Sequence, residues 1–293
     1  MLIFLLFVMA FLYSFQSLFT RIYAANYAGP DKTESTAVFS VCYGLFIAFT
    51  SLAANGFSFR PSWQTWLFGL LNAAVLFLYN NSMIEAGSRG SYAFMMIFCM
   101  YGGILGPALV GTVFLDEQLT GLQIFAVILM LASLVVMNLK GISFKGNTGA
   151  YYIWCILLFI ANGLYGVIMT LQAEVMKGAE RAEMLTILFA LSAVTAAAVE
   201  IARKRGKKLA EGFHMGKRAA LSLLVCGISA TAAVNLLMYI LPQMESSILY
   251  TINNGSGLVL SILYSLILFH ERPRKDQIVG MVMAVASIVL IEI

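Results

Sequence analysis

Ten long apolar runs, each about the length needed to cross a bilayer, constrain this chain more than anything else in it. They cover about 1–20, 36–55, 63–84, 91–114, 119–138, 148–171, 183–202, 218–241, 246–269 and 276–293. A helix spans the hydrocarbon layer with about 20 apolar residues. Non-helical backbone cannot face lipid, because its amides would lose their partners. Transmembrane strands would alternate apolar and polar residues over segments of about ten, and these runs are unbroken. Of all residues 61% are apolar and 11% charged, against roughly a quarter charged in an average soluble domain. The expected fold class is therefore all-α integral membrane, with ten transmembrane helices and lipid as a partner on every outer face. That excludes a cytosolic enzyme, a disordered chain and a nucleic-acid binder, and the short connections leave no room for an extramembrane domain.

Charge sets the expected orientation. The odd-numbered connections and their flanks hold 15 Lys and Arg, and the even-numbered ones only Arg60, Lys177 and Arg181. Lys and Arg accumulate on the cytoplasmic side of short loops, so the odd connections are expected inside and both termini outside. The basic run at 203–208 serves as part of that signal. The first residues, Met1 to Phe4, carry no cationic stretch, and 1–20 is expected to be a retained first span. Cys42, Cys99, Cys155 and Cys226 all lie within spans without metal-ligand spacing, as buried free thiols do. No metal or cofactor is expected.

An internal repeat follows at an offset of 154 residues, where Glu117 pairs with Glu271, Gln123 with Gln277, Asn81 with Asn235 and Gly103 with Gly257. The same register pairs Leu109 with Leu263, Ile124 with Ile278, Ala132 with Ala286, Ser133 with Ser287 and Val135 with Val289. Two five-helix repeats, 1–140 and 148–293, are expected. The odd number of spans in each places the second upside down relative to the first. Inverted repeats build secondary transporters with the substrate at their interface near the midplane.

The stretches Phe114-Leu115-Asp116-Glu117-Gln118-Leu119-Thr120-x-x-Gln123 and Phe269-His270-Glu271-Arg272-Pro273-x-x-x-Gln277 resemble the junction between the fourth and fifth helices of each half in the drug/metabolite transporter superfamily. The resemblance is to its EamA-like ten-helix branch. It extends over the whole chain in length and layout, and its sharp motifs lie at these two junctions. Asp116 and His270 stand where that pattern has glycine, and Ala126 where Gly280 keeps the later one. The first span lacks the branch's Trp-Gly pair, and members commonly keep both termini in the cytoplasm. The resemblance implies a carrier of small metabolites.

The candidate residues fall into three sets. Glu117 and Glu271 read as structural junctions, with Thr120 and Gln123 forming a capping box at the start of the fifth span. Interrupted spans at matching depth point to a binding site. Here they are Cys99 to Pro107 in the fourth span, and Asn253, Asn254 and the glycines after them in the ninth. Close packing through small residues is the other reading of those glycines. Gln16, Asn72, Asn81, Asn162 and Asn235 extend the polar layer, with Tyr79, Tyr101, Tyr165 and Tyr250 beside it and Tyr13 in the first span. Amides cost free energy in hydrocarbon unless paired or wetted, and rings suit amphipathic or cationic solutes. No carboxylate lies in the central part of a span. Glu85 is the single coupling candidate, and facilitated or exchange transport is favoured.

The expected function is a multi-pass cell-membrane transporter, a monomer or homodimer. It would move a small amino acid, amine or similar amphipathic solute by alternating access. A flippase for a lipid-linked metabolite is the alternative. An intramembrane enzyme would need a nucleophile–base pair or metal cluster, and no such pattern is present.

Overall fold

In the computed structural model, residues 1–27, 32–89, 92–139, 149–203, 215–268 and 274–291 are described. Glu271, His214, His270 and the basic residues at 204–208 lie outside the described residues. Each apolar run forms one helix: α1 (Leu2–Asn26), α2 (Lys32–Ala54), α3 (Trp63–Arg89), α4 (Tyr92–Phe114), α5 (Gly121–Asn138), α6 (Gly149–Val175), α7 (Arg181–Arg203), α8 (Lys217–Ile240), α9 (Ser246–Leu268) and α10 (Lys275–Ile291). A 3-10 turn, Leu241–Gln243, joins α8 to α9, and no strand occurs among the described residues. Six stretches within these helices are long and apolar enough by themselves to cross a membrane, among the described residues: Leu2–Thr20, Ala37–Ala54, Ile97–Phe114, Gly149–Val175, Arg181–Ala202 and Lys217–Gln243. The chain is an all-helical, multi-pass membrane protein.

Several helices outrun the apolar segment that predicts them. α1 continues to Asn26 and stops at Tyr27, whose backbone turns extended (φ −67°, ψ 122°). A helix satisfies its own backbone in water as well as in lipid, so the end of the apolar run does not end it. The start of α5 is set locally. Thr120 Oγ1 accepts from the amide of Gln123, and the Gln123 side chain accepts from the amide of Thr120, closing the capping box. The same backbone-to-glutamine bond recurs before α10, where the Arg274 amide donates to Gln277 Oε1 at 2.9 Å.

Helix boundaries carry a regularity. α3, α4 and α5 begin at 63, 92 and 121, and α8, α9 and α10 at 217, 246 and 275, a difference of 154 in each case. α2 and α7 begin at 32 and 181, a difference of 149, and the connection before α8 is five residues longer than the one before α3.

Packing runs mainly between the two halves of the chain. α1 lies against α8 and α9, and α6 against α3 and α4. α2 meets α7 and α8, and α7 meets α2 and α3. α5 pairs with α10, and α4 with α9. The main core gathers Leu6, Met9, Ile47, Met130, Leu134, Met184 and Leu249 from both halves. A smaller cluster around Met95, Tyr151, Cys155 and Leu158 binds the start of α6 to α3 and α4. Large apolar side chains such as Leu70, Phe125, Ile153, Leu221 and Val282 face outward, as a lipid-bathed surface requires.

Candidate functional site

An amide halfway along a membrane helix must find a partner or be wetted. In α1 the Nε2 of Gln16 donates to Tyr43 Oη at 2.7 Å, while its Oε1 is buried without a partner among the described residues. Tyr43, on α2, is absent from the sequence-based site. Tyr13 has Tyr165, Tyr43 and Tyr250 as electrostatic neighbours, and Tyr165 neighbours both Tyr43 and Tyr250. Four helices thus bring four phenol rings to one seam. Tyr250 is buried, not placed in an interfacial belt, and its hydroxyl donates to the Gly166 carbonyl at 3.2 Å. Asn72 is fully buried on α3. Its Nδ2 reaches the Tyr165 carbonyl at 3.5 Å, and its Oδ1 has no partner among the described residues. Asn253 Oδ1 on α9 is likewise buried without a described partner. Native interiors leave few such atoms. Gln16, Asn72 and Asn253 thus each keep a buried amide oxygen without a hydrogen-bond partner among the described residues.

In a second group, Asn162 Nδ2 donates to the Cys99 carbonyl at 2.7 Å, fixing α6 to α4, while Asn254 Nδ2 donates within α9 to the Tyr250 carbonyl at 2.7 Å. Both amides approach Gly103, where a Cβ would stand 2.6 Å from Asn162 Nδ2 and 3.7 Å from Asn254 Nδ2. The other glycines of α4 serve close packing. Gly106 lies so near Gly163 that a Cβ would meet its Cα at 2.6 Å, and one on Gly102 would overlap the Phe159 carbonyl. Gly257, which the repeat pairs with Gly103, has no described atom within 4 Å of its Cβ position.

The remaining predicted residues are scattered. Asn81 and Asn235 each donate to the carbonyl four residues back, Phe77 at 2.9 Å and Thr231 at 2.8 Å. Tyr101 Oη donates to the Leu131 carbonyl at 2.9 Å, tying α4 to α5. Cys99 Sγ donates to Tyr79 Oη at 3.6 Å, in the smaller core cluster. Glu85 pairs with Arg89 one turn on, in a partly exposed ion pair at the end of α3.

One face of the molecule, that of the even-numbered connections, is closed by carboxylates reaching across the halves. Glu117 Oε1 accepts from the Ser246 amide at 2.7 Å, and Oε2 from the Ser247 amide and hydroxyl at 3.3 and 2.8 Å. That satisfies the free N–H groups at the start of α9 with a negative charge, the arrangement a helix N-terminus favours. Glu180 Oε2 does the same for α3, accepting from the Ser62 amide and hydroxyl, both at 2.8 Å. Burial pushes the Glu180 carboxyl up, but hydrogen bonds from Thr65 and Ser62 outweigh it and hold it below its ordinary value. Beside this clasp Glu183 Oε1 accepts from Asn55 Nδ2 at 2.9 Å. Asn55 and Glu183 border a cavity of about 660 Å³ together with Arg181, Asn235 and Tyr239. Sequence reasoning overlooked Asn55 and Glu183 because both sit at span ends. The one signal available was an acidic residue in the first turn of α7.

Comparison with known proteins agrees with this architecture. Residues 151–293 match the EamA-like transporter family, so the chain carries a domain of that family, whose members are membrane transporters of small solutes. No curated protein matches the chain. A solved structure described as "Crystal structure of protein" is similar over 99% of this chain and 96% of its own, with a TM-score of 0.77 and 15% identity. At that identity the likeness is one of fold.

Proposed function

We propose that this chain, whose second half is an EamA-like transporter domain, carries a small amphipathic metabolite across the cell membrane. In this reading two inverted five-helix bundles, 1–140 and 148–293, alternate access to a site on their seam. The carrying observation is the pattern of packing between halves. When each helix is exchanged for the one five places on, α1–α8 becomes α6–α3, α1–α9 becomes α6–α4, and α2–α8 becomes α7–α3. The pairs α2–α7, α4–α9 and α5–α10 map onto themselves, and all of these pairs are in contact. A two-fold relation between halves of opposite orientation produces that pattern. The halves differ at equivalent positions among the described residues: a Cβ on Gly103 would stand 2.6 Å from Asn162 Nδ2, and one on Gly257 meets no described atom within 4 Å. The solute would sit against Gln16, Asn72 and Asn253, whose free amide oxygens accept from it, and among the rings of Tyr13, Tyr43, Tyr165 and Tyr250.

Solute flux into proteoliposomes tests the reading. Gln16→Leu and Asn72→Leu each remove a seam oxygen while keeping bulk. We expect flux to fall by more than tenfold in both at equal reconstitution, and wild-type flux in both would remove the seam as the site.

A further inference from the structure

The cavity on the even-numbered face sets amide and carboxylate acceptors, Asn55, Asn235, Glu180 and Glu183, beside the donors of Arg181 and Tyr239. Asn55 Nδ2 is committed twice, to the Ser58 carbonyl at 2.8 Å and to Glu183 Oε1 at 2.9 Å. Asn235 Nδ2 is committed to the Thr231 carbonyl at 2.8 Å and to Ser51 Oγ at 3.5 Å. Each amide nitrogen has two hydrogens, so both are spent and each of these two side chains has only its oxygen left to offer a ligand. Glu183 is only 9% exposed. Among the described residues the carboxylate's hydrogen bond is the one from Asn55 to Oε1, and Oε2 has none.

Charge points the same way. The lining holds Glu180, Arg181 and Glu183, a net charge of −1. Glu180 is occupied by Ser62 and Thr65. The Arg181 guanidinium rests 5.3 Å above the Tyr239 ring centroid, an attraction that engages the cation without cancelling its charge. The carboxylate oxygen left without a hydrogen bond among the described residues is that of Glu183. A volume of about 660 Å³ lies within the range of small-molecule sites, roughly 300–1,000 Å³. It is far larger than a bare alkali ion fills, and among the described residues no group of three or more His, Cys, Asp or Glu could hold a metal.

We infer that this cavity recognises a primary ammonium group. Glu183 Oε2 is its charged acceptor, and Asn55 Oδ1 and Asn235 Oδ1 accept its remaining hydrogens. Three acceptors against the three N–H donors of R–NH3⁺ is a matched set, and a charge-assisted bond to a buried carboxylate is the strong member. Asn235 lies one turn from Thr231, which meets Thr50 at 2.8 Å, so polar groups continue from the cavity along α2 and α8 into the bundle. The site would select the solute's charge before the seam receives it. This inference rests on the carrier reading for its purpose, though not for its chemistry.

The test is calorimetric titration of the purified full-length chain in detergent with four probes: n-butylamine, tetramethylammonium, n-butanol and butyrate. We expect n-butylamine to bind at least tenfold more tightly than the other three. Glu183→Gln keeps the shape and the contact with Asn55, and should erase that preference. Glu183→Asp keeps the charge, and should retain part of it. Equal binding of n-butylamine and tetramethylammonium, or n-butylamine binding unchanged in Glu183→Gln, overturns the assignment. Flux measured in parallel separates the two ideas. Flux without ammonium preference ends this site alone, whereas preference without any flux ends the carrier and leaves the site.

Discussion

The seam between α1 and α8 and the seam between α3 and α6 are built on the same backbone plan with different side chains. In the first, Cys226 Sγ donates to the Gln16 carbonyl at 3.6 Å. In the second, Asn72 Nδ2 donates to the Tyr165 carbonyl at 3.5 Å. Cys226 stands 154 residues after Asn72, the offset between α3 and α8, and Tyr165 stands 149 after Gln16, the offset between α2 and α7. One seam thus presents a thiol, the Gln16 amide and Thr20, whose hydroxyl lies 3.3 Å from Cys226 Sγ. The other presents an unpartnered amide oxygen and a phenol. The lesson is that the two halves agree in where helices touch, because backbone contact allows little change, while the side chains at those contacts differ. An asymmetric solute can therefore be gripped by a nearly symmetric scaffold.

The largest expected effect breaks the equivalence of the halves at the fourth helix of each. A Cβ on Gly103 would stand 2.6 Å from Asn162 Nδ2, whereas its counterpart Gly257 has no described atom within 4 Å of its Cβ position. Gly103→Ala should cost about 2–3 kcal/mol through overpacking, read as a lowered unfolding midpoint in detergent. Gly257→Ala should be neutral or gain up to about 1 kcal/mol from reduced backbone entropy in the unfolded chain. Equal losses at both positions would mean that the two halves are packed alike at this depth, removing the asymmetry.

A middle-sized effect compares the two clasps. Glu117→Gln replaces one accepting oxygen by a donor facing the Ser247 amide and should cost about 1–2 kcal/mol. Glu180 offers a pH signature instead. Its carboxyl titrates below the ordinary carboxylate value, so its stabilisation is complete above that value and is lost as pH falls through the lower, folded one. Melting curves recorded from pH 7 down to pH 3 should show this acid-side loss diminished in Glu180→Gln. An unchanged profile would mean that the clasp on α3 contributes nothing.

The smallest effect lies at Asp116, where φ is 55°. Left-handed backbone costs an ordinary L-residue about 1–2 kcal/mol, less for aspartate. Asp116→Gly should relieve it and raise stability by less than about 1 kcal/mol, visible as a small upward shift in melting temperature. This geometry is also why glycine suits the position in sequences that resemble this junction.

Much of the fold was legible. Each predicted run has its helix, because the hydrocarbon thickness imposes a length that composition reveals. The Thr120–Gln123 box was legible because capping is a local, three-residue geometry. The site was legible only in part. Gln16, Asn72, Tyr165 and Tyr250 converge, but Tyr79 and Cys99 belong to a separate cluster and Asn81 bonds its own helix. A buried asparagine can reach its own carbonyl four residues back or a neighbour across a seam, and spacing along one strand of sequence does not distinguish these. Tyr43 was missed for the related reason that its partner, Gln16, is far away in the chain, and Glu183 because it sits at a span end, with its partner Asn55 at another.

What the amino-acid order determined by itself was everything governed by distances of a turn or two. That covers the helices and their lipid-facing character, the cap on α5 and the register at which the later helices of each half recur. Tertiary structure decided which helix lies beside which. From that came the carbonyl opposite Asn72, the use of α4's glycines for packing against α6, and the carboxylate of α7 that turns one oxygen into a cavity. Those outcomes depend on contacts between residues far apart in sequence, where a shift of one helical turn exchanges a hydrogen-bond partner for a hydrocarbon wall.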